Sequence, residues 1–564
     1  MKNRLVGGAI AAVIAVGVLL VPSPAPVEAA SSSCTGWTSR LVPPTTIRVL
    51  RTATRRTQTV NFRTYVEKVM PAEWGASHPA AALQAGAVAV KQYAWFYALS
   101  GRWRGGRDAA GRCYDVRDDS NDQVYNPAKV PARSHLAAVA ATWTWSVRRN
   151  DVLALTGYRP GTSSCPGTID GYRLYQRNAS ACAKKGWTAE QILRKFYSPR
   201  SRPAAIVVLG RNDMTGDWYG DAAGLTTDEA SGEVVARLYT ADPSVTPDAV
   251  VAASTRVVAT LADGSLLGRG TADVNADGRQ DIVQLVAGAD DTVSLEVMKA
   301  TGSGFASRAT WWTSTAGQFA AAGIGLVTGD FNADGKGDAG ILQRSAATAD
   351  APGQTALWVA PSTRTAFAAP ILRLSAARDL FIATAISGDF TGDGRADVAF
   401  LLPDGDPAIT RIEVAASKTN VTPETNGNLA APVLWLLEPA AMATIKAVAG
   451  DIDRTGRDDL FLVRQSGEAA RILAAVSTGA AFTRRWVYTD TANPIPWSAV
   501  KPVASDTTRD GRTDLLLVVD RGRDGDGVSL GVTIIRLRSY GTYLGSRVSW
   551  KTDPAADWTA LDPY

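Results

Sequence analysis

The stretch that decides the fold of most of the chain is GDFNADGKGDAGIL, residues 329–342. Side-chain oxygens recur at positions 1, 3, 5 and 9 of a nine-residue loop, here Asp330, Asn332, Asp334 and Asp338. Alternate residues along a tight turn can point inward around one ion, and Gly335 supplies the left-handed backbone such a turn needs. Hard carboxylate and amide oxygens suit calcium. The competing reading is a cluster of Asx turns that closes a hairpin without metal. An apolar run of strand type follows directly.

Working outward, the same motif returns six times. Its leading aspartates are Asp213, Asp273, Asp330, Asp389, Asp451 and Asp506, spaced 55 to 62 residues apart. By position, the expected calcium ligands of the other five copies are Asp213, Thr215, Asp217 and Asp221; Asp273, Asn275, Asp277 and Asp281; Asp389, Thr391, Asp393 and Asp397; Asp451, Asp453, Thr455 and Asp459; and Asp506, Thr508, Asp510 and Asp514. The first copy departs from the pattern at Trp218, where glycine is usual, and the fifth at Thr455. Further strand-like segments such as Ala356–Ala360 and Gly/Phe turns such as Thr301–Phe305 fill each interval. About four short strands per repeat is the pattern of a propeller blade. These repeats resemble the FG-GAP/VCBS family of calcium-binding β-propellers. The expectation is an all-β propeller over 201–564, with six blades visible and a seventh left open. Calcium is expected to be structural, stiffening loops and neutralising clustered aspartates. The propeller's ligand is not readable.

Upstream the charge changes sign. The whole chain carries a net +5, but residues 34–200 hold 25 Lys+Arg against 10 Asp+Glu, and 201–564 hold 32 against 43. Such asymmetry marks two units with different partners. For an exported chain the anionic partner of the basic unit is expected to be wall polymer rather than nucleic acid.

Export is read from the N-terminus. Lys2 and Arg4 precede an apolar run from Leu5 to Val21, prolines follow, and cleavage is expected near Ala29 or Ala30. The apolar run is close to spanning length, so a retained anchor is the alternative. The four cysteines, Cys34, Cys113, Cys165 and Cys182, suggest two disulfides in that compartment. Three pairings exist; Cys165–Cys182 with Cys34–Cys113 is the expected one. With no CxxC and only His78 and His135 in the chain, zinc is argued against.

In the basic unit, 57–69 read as a strand leading into a short helix. Pro79 marks the start of a longer one, with Ser77 or His78 as cap. Leu83, Ala87, Val90, Ala94 and Tyr97 line one helical face, and Gly101 is expected to end it. The run YVEKVMPAEW (65–74), the following HPAAALQAGAVAVKQYAWFYAL and the later DSNDQVYNP (119–127) resemble the SpoIID/LytB family over about 40–200. That family includes peptidoglycan lytic transglycosylases of sporulation and relatives described as amidase enhancers. The resemblance implies an α+β domain with Glu73 as catalytic glutamate and Lys91, Gln92, Gln123 and Tyr125 as substrate contacts. Three positions depart from the family pattern: Gly86 stands where Gln is usual, and Lys91-Gln92 where Arg-Thr is usual.

A lone glutamate suffices for such chemistry. Its acid form protonates the leaving glycosidic oxygen. Its carboxylate then takes the proton of the sugar's own 6-hydroxyl, giving a 1,6-anhydro end. Such a Glu needs a raised pKa, which partial burial supplies. Asp115, Asp118, Asp119 and Asp122 read as a turn-setting loop, with a second catalytic carboxylate as the alternative. Residues 163–198 read as a disulfide-held loop and a closing helix capped by Thr188, and 198–203 as the linker. The expected organisation is a signal peptide (1–30), a SpoIID/LytB-like domain (34–200) and the propeller (201–564). The expected function is that of a secreted wall protein cleaving peptidoglycan glycan strands. The alternatives are a non-catalytic wall binder or enhancer of a wall amidase, and a surface adhesin using the propeller.

Overall fold

In a computed structural model, residues 34, 36–40, 43–99, 106–149, 152–198 and 205–208 are described. So is 212–564, apart from 218, 228–231, 243–248, 261–264, 290, 320–322, 346–352, 381–383, 419–426, 489 and 491. The expected signal segment, Gly101, Trp218 and most of the expected linker lie outside the described residues.

The first part of the chain mixes helices with short strands. In chain order it runs β1 (Thr46–Arg51), β2 (Arg56–Asn61), α1 (Phe62–Glu73), α2 (Ala80–Ala98), β3 (Val116–Arg117), α3 (Arg133–Ala141), β4 (Trp145–Arg149), β5 (Val152–Leu153), β6 (Gly157–Arg159), β7 (Arg173–Tyr175), α4 (Gln176–Lys184), α5 (Ala189–Tyr197) and β8 (Ala205–Val208). Helix α1 starts where Asn61 turns the chain: its side chain accepts the Thr64 N–H. Phe62, Tyr65, Val66, Val69 and Met70 follow at helical spacing and are fully buried. Helix α2 is buried on nearly every face, as its run of alanines allows. It begins one residue after Pro79, with no side-chain cap, so neither Ser77 nor His78 caps it; it ends at Ala98, before Gly101. Helix α5 carries the expected cap: Thr188 and Gln191 form a reciprocal capping box.

The rest is β structure. Five four-stranded antiparallel sheets are each made of consecutive strands, the first from Leu266–Ala272 to Ala309–Thr313 and the last from Val500–Ser505 to Val548–Asp553. A sixth joins Ala222–Thr227, Glu233–Asp242 and Ala249–Thr260 to Leu561–Pro563, so the end of the chain pairs with the first repeat. Strand β8, just past the expected domain boundary, pairs with β4 of the first part instead.

The sheets contact one another in cyclic order. Backbone N–H groups of Gln280, Gly337, Ala396, Asp458 and Thr513 donate to the carbonyls of Asp213, Asp273, Asp330, Asp389 and Asp451, at 2.7–2.8 Å. Gly220 donates to Asp506 at 2.7 Å and closes the cycle. Apolar clusters also lie between successive sheets, and one joins Tyr239 and Leu561 to Leu516 and Trp550 across the closure. Among the described residues, no helix is long and apolar enough to cross a membrane.

Candidate functional site

Glu73 is the last residue of α1, which Pro71 helps to end. Its Oε1 accepts the N–H of Val124 at 2.8 Å, and its carbonyl accepts Gln176 Nε2 from α4 at 2.8 Å. The next residue, Trp74, is fully buried against Gly86 of α2. His135 Nε2 lies 2.8 Å from the Trp74 carbonyl. The glutamate is thereby fixed from both sides of the chain.

Burial raises the Glu73 pKa; the Val124 N–H, a hydrogen bond from the Tyr158 hydroxyl and the charge of Arg159 pull it partly back. A carboxyl raised by burial keeps its proton to higher pH, the state a general acid needs. Behind it lies a buried polar chain. Tyr65 donates to Gln123 Oε1 at 3.0 Å, and Gln123 Nε2 donates to the Val90 carbonyl at 3.0 Å and to the Tyr158 hydroxyl at 3.2 Å.

The other residues expected at the site fall into different roles. Lys91 and Gln92 are corrected here to internal supports. The Lys91 ammonium donates to the carbonyls of Thr142, Trp143 and Trp145 just past the end of α3, and the side chain is 2% exposed. Gln92 donates to the carbonyls of Val147 and Ala154 and accepts the Val147 N–H. Neither presents a donor to a glycan. Gln123 is also fully buried, so its influence passes through Tyr158 and the adjoining Val124 amide. Tyr125 is buried, stacks on Tyr65 and lies under the Arg51 guanidinium.

The four aspartates at 115–122 are engaged in the frame. Asp115 holds the backbone and side chain of Arg48, and Asp118 holds Thr52 and Arg51. Asp119 accepts from Arg117 and the Asn121 amide, and Asp122 from the Arg117 amide and Tyr93. Cys165 and Cys182 form a disulfide, and no cysteine is free among the described residues. Sequence reasoning missed Tyr158, Arg159 and Gln176. Only the 119–127 segment, which carries Gln123 and Val124, pointed toward them.

Five of the six repeat loops share one geometry at their start: the leading aspartate accepts the backbone N–H of position 6, from Gly278, Gly335, Gly394, Gly456 and Gly511, at 2.7–2.8 Å. Position 4 is left-handed as well, at Ala276, Ala333, Gly392, Arg454 and Arg509. The aspartate at position 9 is buried in every loop. Its Oδ1 receives the N–H of Ala241, Ala300, Ser362, Ser417, Ser477 or Ser539, from the third-strand end of the same sheet.

Whether the loops suit a cation can be tested on their oxygens. In the fifth loop, carboxylate oxygens of Asp451, Asp453 and Asp459 lie within 4.8 Å of one another. Thr391 Oγ1, Asp453 Oδ1 and Thr455 Oγ1 are buried with no hydrogen-bond partner. These are oxygens at positions 3 and 5, where a ligand is expected. A buried oxygen without a donor is costly unless a cation meets it. Burial pushes Asp273 and Asp451 up to about 7 and Asp281 and Asp459 up to about 8, as expected for carboxylates grouped without a counter-ion. The residues fit a hard cation.

Residues 51–146 match the family model described as Stage II sporulation protein, SpoIID. No curated protein matches the chain. Among solved structures, the chain is similar to an Agrocybe aegerita lectin described by its recognition of non-reducing terminal N-acetylglucosamine. That match has 15% identity and a TM-score of 0.39, over 63% of this chain and 88% of that one. A Mycobacterium tuberculosis puromycin-hydrolysing peptidase matches at 11% identity and a TM-score of 0.29, over 58% of this chain and 54% of that one. Prolyl oligopeptidase B of Galerina marginata matches at 11% and 0.30, over 62% and 43%. The chain spans about half the length of the two peptidases.

Proposed function

We propose that this is an exported peptidoglycan-acting protein whose α+β part is a lytic transglycosylase and whose six sheets form a calcium-binding propeller. The observation that carries the enzyme reading is Glu73: a half-buried carboxyl inside the SpoIID-matched segment, with its pKa raised and one oxygen held by the Val124 amide. The match to a sporulation family supports a cell-wall role, and the disulfide is consistent with an extracytoplasmic setting.

The geometry is compatible with the following reaction. With Oε1 occupied by the Val124 N–H, the acid proton sits on Oε2 and is given to the glycosidic oxygen as that bond breaks. The carboxylate so formed is stabilised by Val124, Tyr158 and Arg159. It then takes the proton of the sugar's 6-hydroxyl while that oxygen bonds to the anomeric carbon. Proton count is conserved and no water is consumed. Because the acid must begin protonated, the rate falls as pH rises through the Glu73 pKa, which lies above that of an ordinary glutamate.

The propeller reading rests on the cyclic hydrogen bonds and on the terminal strand completing the first sheet. Calcium would be held by the side chains at positions 1, 3, 5 and 9 and would neutralise the grouped carboxylates there. Chelation should lower the melting temperature, and calcium should restore it; unchanged melting would count against the metal. The enzyme reading is tested with purified glycan strands. The wild type should yield anhydromuramyl ends and Glu73→Gln none. Binding without cleavage would favour the enhancer or adhesin reading.

A further inference from the structure

Three of the six repeat loops do more than close a hairpin: the α+β part rests on them. Asn61, the cap of α1, donates through Nδ2 to the Ala333 carbonyl at 2.6 Å. Thr45 packs on Gly335, where a Cβ would stand 3.2 Å from its methyl. In the first turn of α1, Arg63 lays its guanidinium on Gly394, where a Cβ would lie 2.0 Å away, and its charge reaches Asp389. Arg454 covers the Trp145 ring at 4.1 Å and reaches Glu190 of α5 at 3.5 Å. Arg364, in the turn after the third strand of the same sheet as Ala333, donates to Thr45 Oγ1 at 3.0 Å and lies 4.4 Å from the Trp37 ring.

The seats are specific backbone positions. Ala333 and Arg454 stand at position 4 of their loops with φ of 56° and 63°, and Gly335 and Gly394 at position 6 with φ of 79° and 83°. Glycine takes such angles freely, but at Ala333 and Arg454 they are uncommon and are held by the surrounding loop. A cation held by positions 1, 3 and 5 would favour the angles between and beside them.

A cavity of about 740 Å³ is lined by the first strands of the repeat sheets, as at Leu326, Ile386 and Val448, and by Arg63, Trp143 and Trp145 of the α+β part. Ala333, Gly335, Gly394 and Arg454 lie on loops that a cation would hold, and Arg364 lies on a neighbouring turn of the same sheet as Ala333.

We propose that cation occupancy of the loops at 330–338, 389–397 and 451–459 and seating of the α+β part upon them are thermodynamically linked, each strengthening the other. This rests on the calcium reading above. Linkage is reciprocal: whatever factor the ion adds to seating, seating adds to ion affinity.

The reciprocal arm gives the test. Calcium binding to the full chain is measured by titration calorimetry, beside the double variant Arg364→Ala/Arg454→Ala. Neither side chain offers an oxygen to an ion, and losing a positive charge near the loop carboxylates would by itself tighten calcium binding, so weakened binding reports the loss of seating. The expected result is a subset of sites weakened by about fivefold or more, with the remaining sites unchanged. Unchanged affinity at every site overturns the linkage and leaves the calcium reading standing; no calcium binding by the wild type overturns both. A second measurement does not depend on the variant. Small-angle scattering of the wild type should show a larger radius of gyration after chelation, with the far-ultraviolet β signal retained. An unchanged radius once calcium has left overturns the proposal.

Discussion

Substituting Gly86 by alanine separates two physical effects of opposite sign. Gly86 lies inside α2, where glycine costs about 1 kcal/mol relative to alanine; helix propensity alone therefore predicts that Gly86→Ala stabilises. Packing predicts the reverse. A Cβ at Gly86 would stand 2.5, 2.7 and 2.9 Å from three atoms of the Trp74 indole, against an ordinary contact of about 3.6 Å. The ring must retreat by about 1 Å. It is fully buried, and its own backbone carbonyl faces His135, so it has nowhere open to go. Overpacking of this kind costs about 1–3 kcal/mol. Set against the propensity gain, the net is a loss of up to about 2 kcal/mol. For a unit of this size, at about 2–4 °C per kcal/mol, the melting temperature falls by up to roughly 4–8 °C. The assay is thermal unfolding followed by tryptophan fluorescence in calcium. Because Trp74 adjoins Glu73, cleavage of glycan strands should fall by more than the unfolded fraction explains. A variant that melts higher than the wild type would refute the packing argument and leave Gly86 as a plain helix interruption.

Other consequences follow from the same geometry. Tyr158→Phe removes a donor to the Glu73 carboxylate, so the pKa of Glu73 should rise further. The alkaline limb of the pH–rate profile should move to higher pH while the maximal rate drops; an unmoved limb would deny Tyr158 its role. Lys91→Met leaves three carbonyls near the end of α3 without their donor and should cost about 3 kcal/mol or more in stability. A change in KM with unchanged melting would instead restore Lys91 as a substrate contact. Cys165→Ser with Cys182→Ser opens a loop of 17 residues and should cost about 3 kcal/mol by loop entropy, read as a lower melting temperature of the first transition.

Much of the architecture was legible because repetition exposed it. Six aspartate motifs at near-constant spacing made six repeats visible, and in five of them a strand follows the loop from the ninth position, at Asp281, Asp338, Asp397, Asp459 and Asp514. The closing pair of Leu561–Pro563 with Ala222–Thr227 was not legible, since a three-residue strand carries no periodicity. Nor was the exclusion of β8 from the repeats, which depends on a partner strand far back in the chain.

At the site, Glu73 was visible through its motif, but the roles of its neighbours were not. Lys91 and Gln92 look like substrate ligands on a linear sequence. Only the packing of α2 against α3 and β4 shows their donors spent on backbone carbonyls. Gly86, a departure from the family pattern, makes sense once the Trp74 ring is seen lying over it. Position 4 of the loops escaped notice for a related reason. Alanine and arginine carry no mark of a left-handed backbone, whereas glycine at position 6 does.

The most direct measurement of the central claim is mass spectrometry of purified glycan strands after incubation with the wild type and with Glu73→Gln. The account predicts 1,6-anhydromuramyl ends from the wild type and none from the variant, with both proteins folded to the same extent. Reducing ends from the wild type, or anhydro ends from Glu73→Gln, would contradict it.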